Sequence, residues 1–429
     1  MMLKMNKKPL VFAGLIGAAL LAFYLLPHFH FDKKPIALQN GGFADFRPVS
    51  LPMQNIDRVI NKLDERNRRW PANPQTLVRL GQAFLQKARL GGDFSLYWRA
   101  EQCFQAVLER DASNAEAQAG MAELCAQRHH FSSALAWANR AIKQNPYRAR
   151  YYGLLADAQL ELGRYAEAVQ TIEKMIELRP DLASYSRVSH VRELHGDLEG
   201  AIEAMGLALD AGIPGKRGTE WCRVQLGHLY FLGNELERAE IQYVKAQYFL
   251  PGFAPALAGL AKLRMTQNRW QEALEYFHQA ISRNPLPDYI AGQAEVYLAL
   301  GDTVTARSQY ELAWKLLESE REMGIRPELE LAVLGGRMGY EASTVLELAQ
   351  QAYQERPSLM AADALAWAWY RAGHFTEAQR YSQKALRLGS KNATFYYHAG
   401  MIARALGNRA LARSYLKKAL AMRSLSPQL

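Results

Sequence analysis

The side chains best suited to chemistry in this chain are not spaced as a catalytic or metal site requires. His190, Glu193 and His195 place a carboxylate between two imidazoles, an arrangement that can pass protons. No nucleophile or metal-ligand pattern accompanies them, so we interpret His190 as a structural histidine. His28 and His30 form a second pair without a third ligand, and we expect them to lie beside a membrane instead of holding a metal.

Standard catalytic and cofactor-binding motifs are missing from the sequence. It contains no HExxH, GxSxG, Walker-type phosphate loop or GxGxxG after a strand. The three cysteines, Cys103, Cys125 and Cys222, form no CxxC pair, and we expect them to be buried thiols. A disulfide between Cys103 and Cys125 is the alternative in an oxidising compartment. We therefore predict no catalytic residue, no cofactor and no metal, and we do not expect an enzyme.

Binding is better supported, because one set of polar and aromatic residues recurs at intervals of about 34 residues. These residues are Glu123, Asp157, His190, His228, Lys262, Glu295, Leu334 and Trp367, with Asp363, Tyr370 and Arg371 beside the last of them. Further candidates nearby are Arg150, Arg187, Glu193, Trp221, Arg337 and Arg404. We interpret the set as a mixed trough for a peptide or a partner helix. The alternative is that any long solvated face carries such residues.

Three aromatic residues lie close to the end of this set. Trp367, Trp369 and Tyr370 follow each other within four positions, and adjacent residues of a helix point about 100° apart. We expect Trp369 to point into the core. Trp367 or Tyr370 then points outward, where a ring can anchor an interface.

The elements that must position these residues are paired helices in a repeating array. Ala239 and Ala273, Tyr243 and Phe277, Ala246 and Ala280, and Pro251 and Pro285 are each 34 residues apart. A small residue, a large one and another small one at this spacing let two helices cross closely and admit the next pair. Glycines between the paired helices are expected to end the first helix in a left-handed conformation; they are Gly163, Gly196, Gly233, Gly301, Gly373 and Gly407.

The repeat pattern is irregular at three places. Extra residues occur at 88–97, a longer junction occurs at 212–218, and Val345 stands where a small residue is usual. The pattern as a whole resembles the tetratricopeptide repeat family over residues 72–425. This resemblance implies an all-α, right-handed superhelical solenoid of about ten helix pairs, whose first helices line a concave side that binds a protein or peptide. The clamp of Lys and Asn side chains that some relatives use is not evident, since Lys262 is the only lysine of the set.

The first 31 residues are predicted to be a membrane anchor. Lys4, Lys7 and Lys8 precede an uncharged apolar run at 9–26, which as a helix just reaches across a bilayer core. A cleavable signal peptide is the alternative, although the small residues of a cleavage site are missing after the run. Residues 32–54 are predicted to be an extended linker, 55–71 an amphipathic capping helix, 72–425 the solenoid and 426–429 a tail.

The net charge is concentrated in the first 72 residues of the chain. Residues 1–72 hold 11 Lys and Arg against 5 Asp and Glu, a net charge of +6, and residues 73–429 hold 41 against 37, a net charge of +4. The nearly neutral repeats do not favour nucleic acid as a partner. We predict a scaffold anchored in the inner or plasma membrane, with its repeats outside the cytoplasm, that binds a protein or peptide. The alternatives are an adaptor that faces the cytoplasm and a non-catalytic subunit of an envelope enzyme or secretion complex.

Overall fold

The computed structural model describes residues 52–422, which form 21 helices and contain no strand. The helices are α1 (Pro52–Arg69), α2 (Pro74–Gly91), α3 (Leu96–Leu108), α4 (Ala115–Gln127), α5 (Phe131–Gln144), α6 (Ala149–Glu161), α7 (Tyr165–Leu178), α8 (Leu182–Leu194), α9 (Leu198–Asp210), α10 (Arg217–Leu232), α11 (Leu236–Phe249), α12 (Ala254–Thr266), α13 (Trp270–Arg283), α14 (Pro287–Ala299), α15 (Thr303–Glu322), α16 (Glu328–Met338), α17 (Ala342–Glu355), α18 (Leu359–Arg371), α19 (Phe375–Ala385), α20 (Ala393–Ala405) and α21 (Arg409–Met422). None of these helices combines the length and apolarity that crossing a membrane requires. The predicted span at 9–26, His28 and His30, and the tail 426–429 lie outside the described residues.

The helices from α2 to α21 form ten consecutive pairs, which confirms the predicted all-α solenoid. Within each pair the two helices pack against each other, and each pair then packs on the next. Helix α1 precedes the first pair and packs on α2, where Ile56 and Ile60 are buried in the same core as Leu77. It begins at Pro52, three residues before the predicted start of the capping helix.

The predicted motif of a small, a large and a second small residue holds the pairs together. Ala239, Tyr243 and Ala246 of α11 are all buried. The Tyr243 ring lies directly against Gly227 of α10 and Gly259 of α12, where an added Cβ would collide with it. One ring therefore joins its own pair to the next, because glycine leaves it room on both neighbouring first helices.

The predicted left-handed turns are present, with one correction. Gly163, for example, has φ of 68°. Gly233 has φ of −77°, and the neighbouring Asn234 takes the left-handed conformation at φ of 59°. Helix α10 ends at Leu232, so Gly233 is its cap and the position that turns left falls one residue later. Asparagine is the residue that best tolerates this conformation after glycine.

The first helix of each pair lies on the inner side of the array. First helices of consecutive pairs contact each other, as α4 contacts α6 and α10 contacts α12, whereas the second helices of the described pairs make no comparable contacts. Helices that are closer together form the concave side of a curved stack. The concave surface is therefore built from α2, α4, α6 and the first helices that follow.

Repeats far apart in sequence also touch, along what we call the inter-turn seam. It joins residues 128–131, 161–165 and 196 to residues 324–326, 356–359 and 387–389. The backbone N–H of Leu359 donates to the Tyr165 hydroxyl at 2.8 Å across 194 residues. His129 Nδ1 lies 3.0 Å from the carbonyl oxygen of Arg326, and since a carbonyl only accepts, the imidazole donates. The stack thus returns onto itself after about six repeats.

Candidate functional site

Two cavities open on the concave side and share Arg89 in their walls. The first, of about 600 Å³, lies along α4, α6 and α8 and is lined by four further arginines, so we call it the arginine cavity. The second, of about 720 Å³, is bounded by α10, α12, α14 and the two irregular segments at 88–97 and 212–218. We call it the insertion cavity.

All ten predicted site residues lie on first helices, as the repeat spacing required. Glu123 and Asp157 line the arginine cavity, and His228 and Lys262 line the insertion cavity. The remaining six line neither; they are His190, Glu295, Asp363, Trp367, Tyr370 and Arg371. The ten residues therefore lie along the first helices, and only part of this row borders open space.

Most charged members of this row are paired with the next helix pair. Asp157 of α6 accepts two hydrogen bonds from Arg187 of α8, at 2.8 and 2.6 Å. Glu123 forms ion pairs with Arg89 of the preceding first helix at 3.0 Å and with Arg150 of the following one at 2.6 Å. These ion pairs tie successive first helices together, which a row of merely solvated residues would not do.

The same pairing continues in the second half of the array. Lys262 lies 3.3 Å from Asp288 of α14, and Glu295 lies 2.6 Å from Arg337 of α16. Arg371 of α18 donates to the carbonyl oxygens of Gly336 at 3.0 Å and Tyr340 at 3.1 Å. The row therefore serves the stacking of repeats, and a partner that binds there must exchange contacts with these pairs or use groups beside them.

The pKa values of the two histidines of the row are shifted in opposite directions. Burial lowers the pKa of His228 to about 4, the charge of Lys262 adding to the effect, so this ring is neutral at physiological pH. Its Nδ1 lies 2.7 Å from the Tyr243 hydroxyl. Burial also disfavours the charged form of His190, but the hydrogen bond and charge of Glu193 outweigh it and raise the pKa. His190 thus holds its proton more readily than His228 does.

The aromatic residues of α18 are engaged within the protein. The Trp367 ring stacks on Tyr370 at 4.7 Å and on His398 of α20 at 4.1 Å. His398 in turn lies 2.9 Å from Asp363, which is buried and not open to a partner as its place in the predicted trough required. Trp369 packs against two core clusters. This group closes the junction between α18 and α20.

The cysteines offer no nucleophile at neutral pH. Cys103, Cys125 and Cys222 are free thiols, and the alternative of a disulfide between the first two is not present. Burial raises the pKa of Cys103 and Cys125 to about 11 and that of Cys222 to about 12. Within residues 52–422 no three His, Cys, Asp or Glu side chains gather as a metal site requires.

The predicted set of site residues omits two residues that line the insertion cavity. Arg217 and Asn284 line this cavity, and neither belongs to the repeating row. One indication was available in the sequence, because both irregular segments of the repeat pattern supply its walls. Insertions in a repeat array often lie on its binding face.

Comparison with known proteins supports the repeat pattern. Three family models, each described as tetratricopeptide repeat, match residues 97–157, residues 149–182, and residues 259–319 together with 364–427. No protein of curated function matches the sequence.

Among solved structures, the human IFIT1 dimer with m7Gppp-AAAA is similar, at 20% identity over 87% of this chain and 77% of that chain, with a TM-score of 0.41. Yeast Tom70 is similar at 17% identity over 86% of each chain, with a TM-score of 0.42. PilW, a type IV pilus biogenesis factor, is 17% identical over 46% of this chain and 91% of its own, with a TM-score of 0.39. Nothing about ligand or partner follows from identities this low.

Proposed function

We infer that this chain, which belongs to the tetratricopeptide repeat superfamily, is a membrane-anchored scaffold that binds a protein partner along its concave side and performs no chemistry of its own. The observation that carries this proposal is the pair of concave cavities that meet at Arg89. Their walls mix arginines, carboxylates and aromatic rings, which suits a peptide better than a small apolar ligand.

The anchoring part of the proposal rests on the sequence at 9–26. The run is uncharged, is preceded by three lysines and has the length of a bilayer core as a helix. A short basic segment before a first span is retained in the cytoplasm, which places the repeats on the other side. The partner is then a protein of the cell envelope.

Alkaline phosphatase fused after residue 429 should be active in cells, because this reporter folds only after export. A fusion from which residues 1–31 are removed is the matched control and should be inactive. An inactive full-length fusion that is well expressed would overturn the topology and favour the adaptor that faces the cytoplasm.

A photo-crosslinking residue in the concave wall should capture the partner. Tyr147 is exposed and lines the arginine cavity, so p-benzoylphenylalanine at this position replaces one aromatic ring by another. We expect one discrete adduct, identified by mass spectrometry. Tyr248, exposed at the end of the second helix α11 and outside both cavities, is the control position and should give none. Adducts from position 248 alone would move binding to the convex side.

A further inference from the structure

Two irregularities of the repeat array converge on one cavity. The extra residues at 88–97 form the end of α2, the loop after it and the first two residues of α3, and the longer junction at 212–218 includes the first two residues of α10. These segments are separated by more than three repeats in sequence, yet residues of both line the insertion cavity. Neither insertion is needed to stack helix pairs, since the other pairs stack without one. The cavity between them is therefore not a by-product of the stacking of helix pairs.

The cavity carries an excess of positive charge. Its ionised residues are Arg89, Arg217 and Lys262 against a single carboxylate, Asp288. Glu123 holds Arg89 at 3.0 Å and Asp288 holds Lys262 at 3.3 Å. Arg217 makes no ion pair within the described part of the chain. Its side chain is exposed, yet the protein around it lowers its pKa by desolvation, an effect that Tyr289 opposes and to which Arg89 adds a smaller contribution.

The Arg217 guanidinium packs on an aromatic ring. It lies over the Phe253 ring, 5.2 Å from the ring centroid, a contact that supplies no counter-charge. An arginine that lines a cavity without an ion pair gains from any carboxylate that enters it.

A second, independent group also lacks a partner. Asn284 follows α13 and is 9% exposed. Its Oδ1 atom is buried without a hydrogen-bond partner, and Gly92 of the α2–α3 loop approaches it, since a Cβ there would lie 3.9 Å away. A buried acceptor of this kind is stabilised by a ligand that donates, and a peptide N–H is such a donor.

The cavity also offers an aromatic contact. Trp221 of α10 is 45% exposed and lies in the wall of the cavity, to which Phe94 and Tyr97 of the first irregular segment also contribute. Exposed tryptophan beside a pocket is the residue type that most often dominates binding energy in protein interfaces. The ligand therefore needs an apolar group close to its negative charge.

We propose that the insertion cavity binds an acidic peptide segment of the partner, in which carboxylates meet Arg217 and Lys262, a backbone N–H meets Asn284, and an apolar side chain rests on Trp221. The proposal deepens the function proposed above and rests on it. A nucleic acid is the less suitable ligand, because a phosphate backbone needs a row of free cations, whereas Glu123 and Asp288 already hold two of the three cations of this cavity.

The test measures fluorescence anisotropy of labelled probes with the full chain in mild detergent. The first probe is a ten-residue Gly–Ser peptide with Glu–Phe–Glu at its centre, and its control carries Lys–Phe–Lys. A ten-nucleotide single strand with the same dye is the third probe. We expect the acidic peptide to bind at least tenfold more tightly than the other two.

Variants then place the binding in the cavity. Arg217→Glu should lower the affinity for the acidic peptide by about 10- to 100-fold, the range for loss of a charged hydrogen bond. Arg217→Gln should have a smaller effect, and Trp221→Ala should weaken it by about tenfold. Arg413→Glu is the matched control, because Arg413 is exposed on α21, far along the chain, and lines neither cavity. It should bind as the unmodified protein does. Circular dichroism should show the same helix content in every variant.

Each alternative outcome decides against the proposal. Equal binding of the acidic and basic peptides, or an unchanged affinity in Arg217→Glu, removes the cavity as the site. Tightest binding by the single strand replaces the peptide with nucleic acid. If these results occur while position 147 still crosslinks to a protein, the scaffold function stands and only the acidic-peptide proposal fails.

Discussion

Arg356→Met should lower the free energy of unfolding by about 2–3 kcal/mol, because this arginine holds the inter-turn seam together. Its side chain is 8% exposed and donates to both oxygens of Glu330 at 2.7 Å. It also lies 3.9 Å from Glu161 and over the Phe131 ring, which belong to repeats one turn earlier. Breaking a fully buried ion pair costs about 3–5 kcal/mol, and the exposure of Glu330 (39%) and Glu161 (41%) reduces that figure.

The loss should also depend on pH. Burial raises the pKa of Glu161, and Arg356 opposes that rise. Without the arginine the pKa of Glu161 in the folded state rises further above its value in the unfolded state. Stability then falls as pH rises from the unfolded to the folded pKa. We expect a larger loss at pH 8 than at pH 4.

Urea denaturation followed by circular dichroism measures this effect, and Arg307→Met is the control. Arg307 pairs with Glu311 on the surface of α15 and is 83% exposed, so its replacement should cost less than about 0.5 kcal/mol. Equal shifts for the two variants would show that the cluster around Arg356 does not stabilise the seam.

The helix pairs could be predicted from sequence because their information is local. A small residue, a ring and a second small residue recur within each second helix, as Ala239, Tyr243 and Ala246 show. The same reasoning misplaced the left-handed turn at Gly233, because the end of α10 shifts by one residue and Asn234 takes that role. A pattern fixes which helices pair, whereas the exact end of a helix depends on its cap.

The contents of the candidate site were harder to predict for two physical reasons. The spacing placed Asp157 and Lys262 on the concave side, but it could not show that Arg187 and Asp288 neutralise them. Contacts such as that of Tyr165 with Leu359 span 194 residues and depend on how far the array curves per repeat. That curvature is a sum of many small packing angles, which no single motif encodes.

Closure along the inter-turn seam has a consequence for binding. Repeats of most arrays contact only their neighbours, so stability is distributed locally. Here Arg387 donates to the carbonyl oxygen of Gly163 across 224 residues, and similar bonds lie along the seam. The second to fourth and the eighth to tenth pairs therefore support one another. The arginine cavity is lined mostly by the second to fourth pairs, so a partner that enters it meets walls that the seam keeps in place, which lowers the ordering cost of binding.

Tyr243→Ala should lower the free energy of unfolding by about 3–5 kcal/mol, the range for removal of a fully buried ring. Gly227 and Gly259 have no side chains to fill the space that the ring leaves. Tyr243→Phe keeps the ring and removes only the bond to His228, so it should cost about 1–2 kcal/mol. Tyr248→Ala, an exposed position on the same helix, is the control and should change stability by less than about 0.5 kcal/mol. Chemical denaturation of the three variants distinguishes these values, and a loss for Tyr243→Ala no larger than for Tyr243→Phe would mean that the ring does not join α10 to α12. Because the ring contacts both first helices, the expected loss is spread over two repeats and should weaken the wall of the insertion cavity as well.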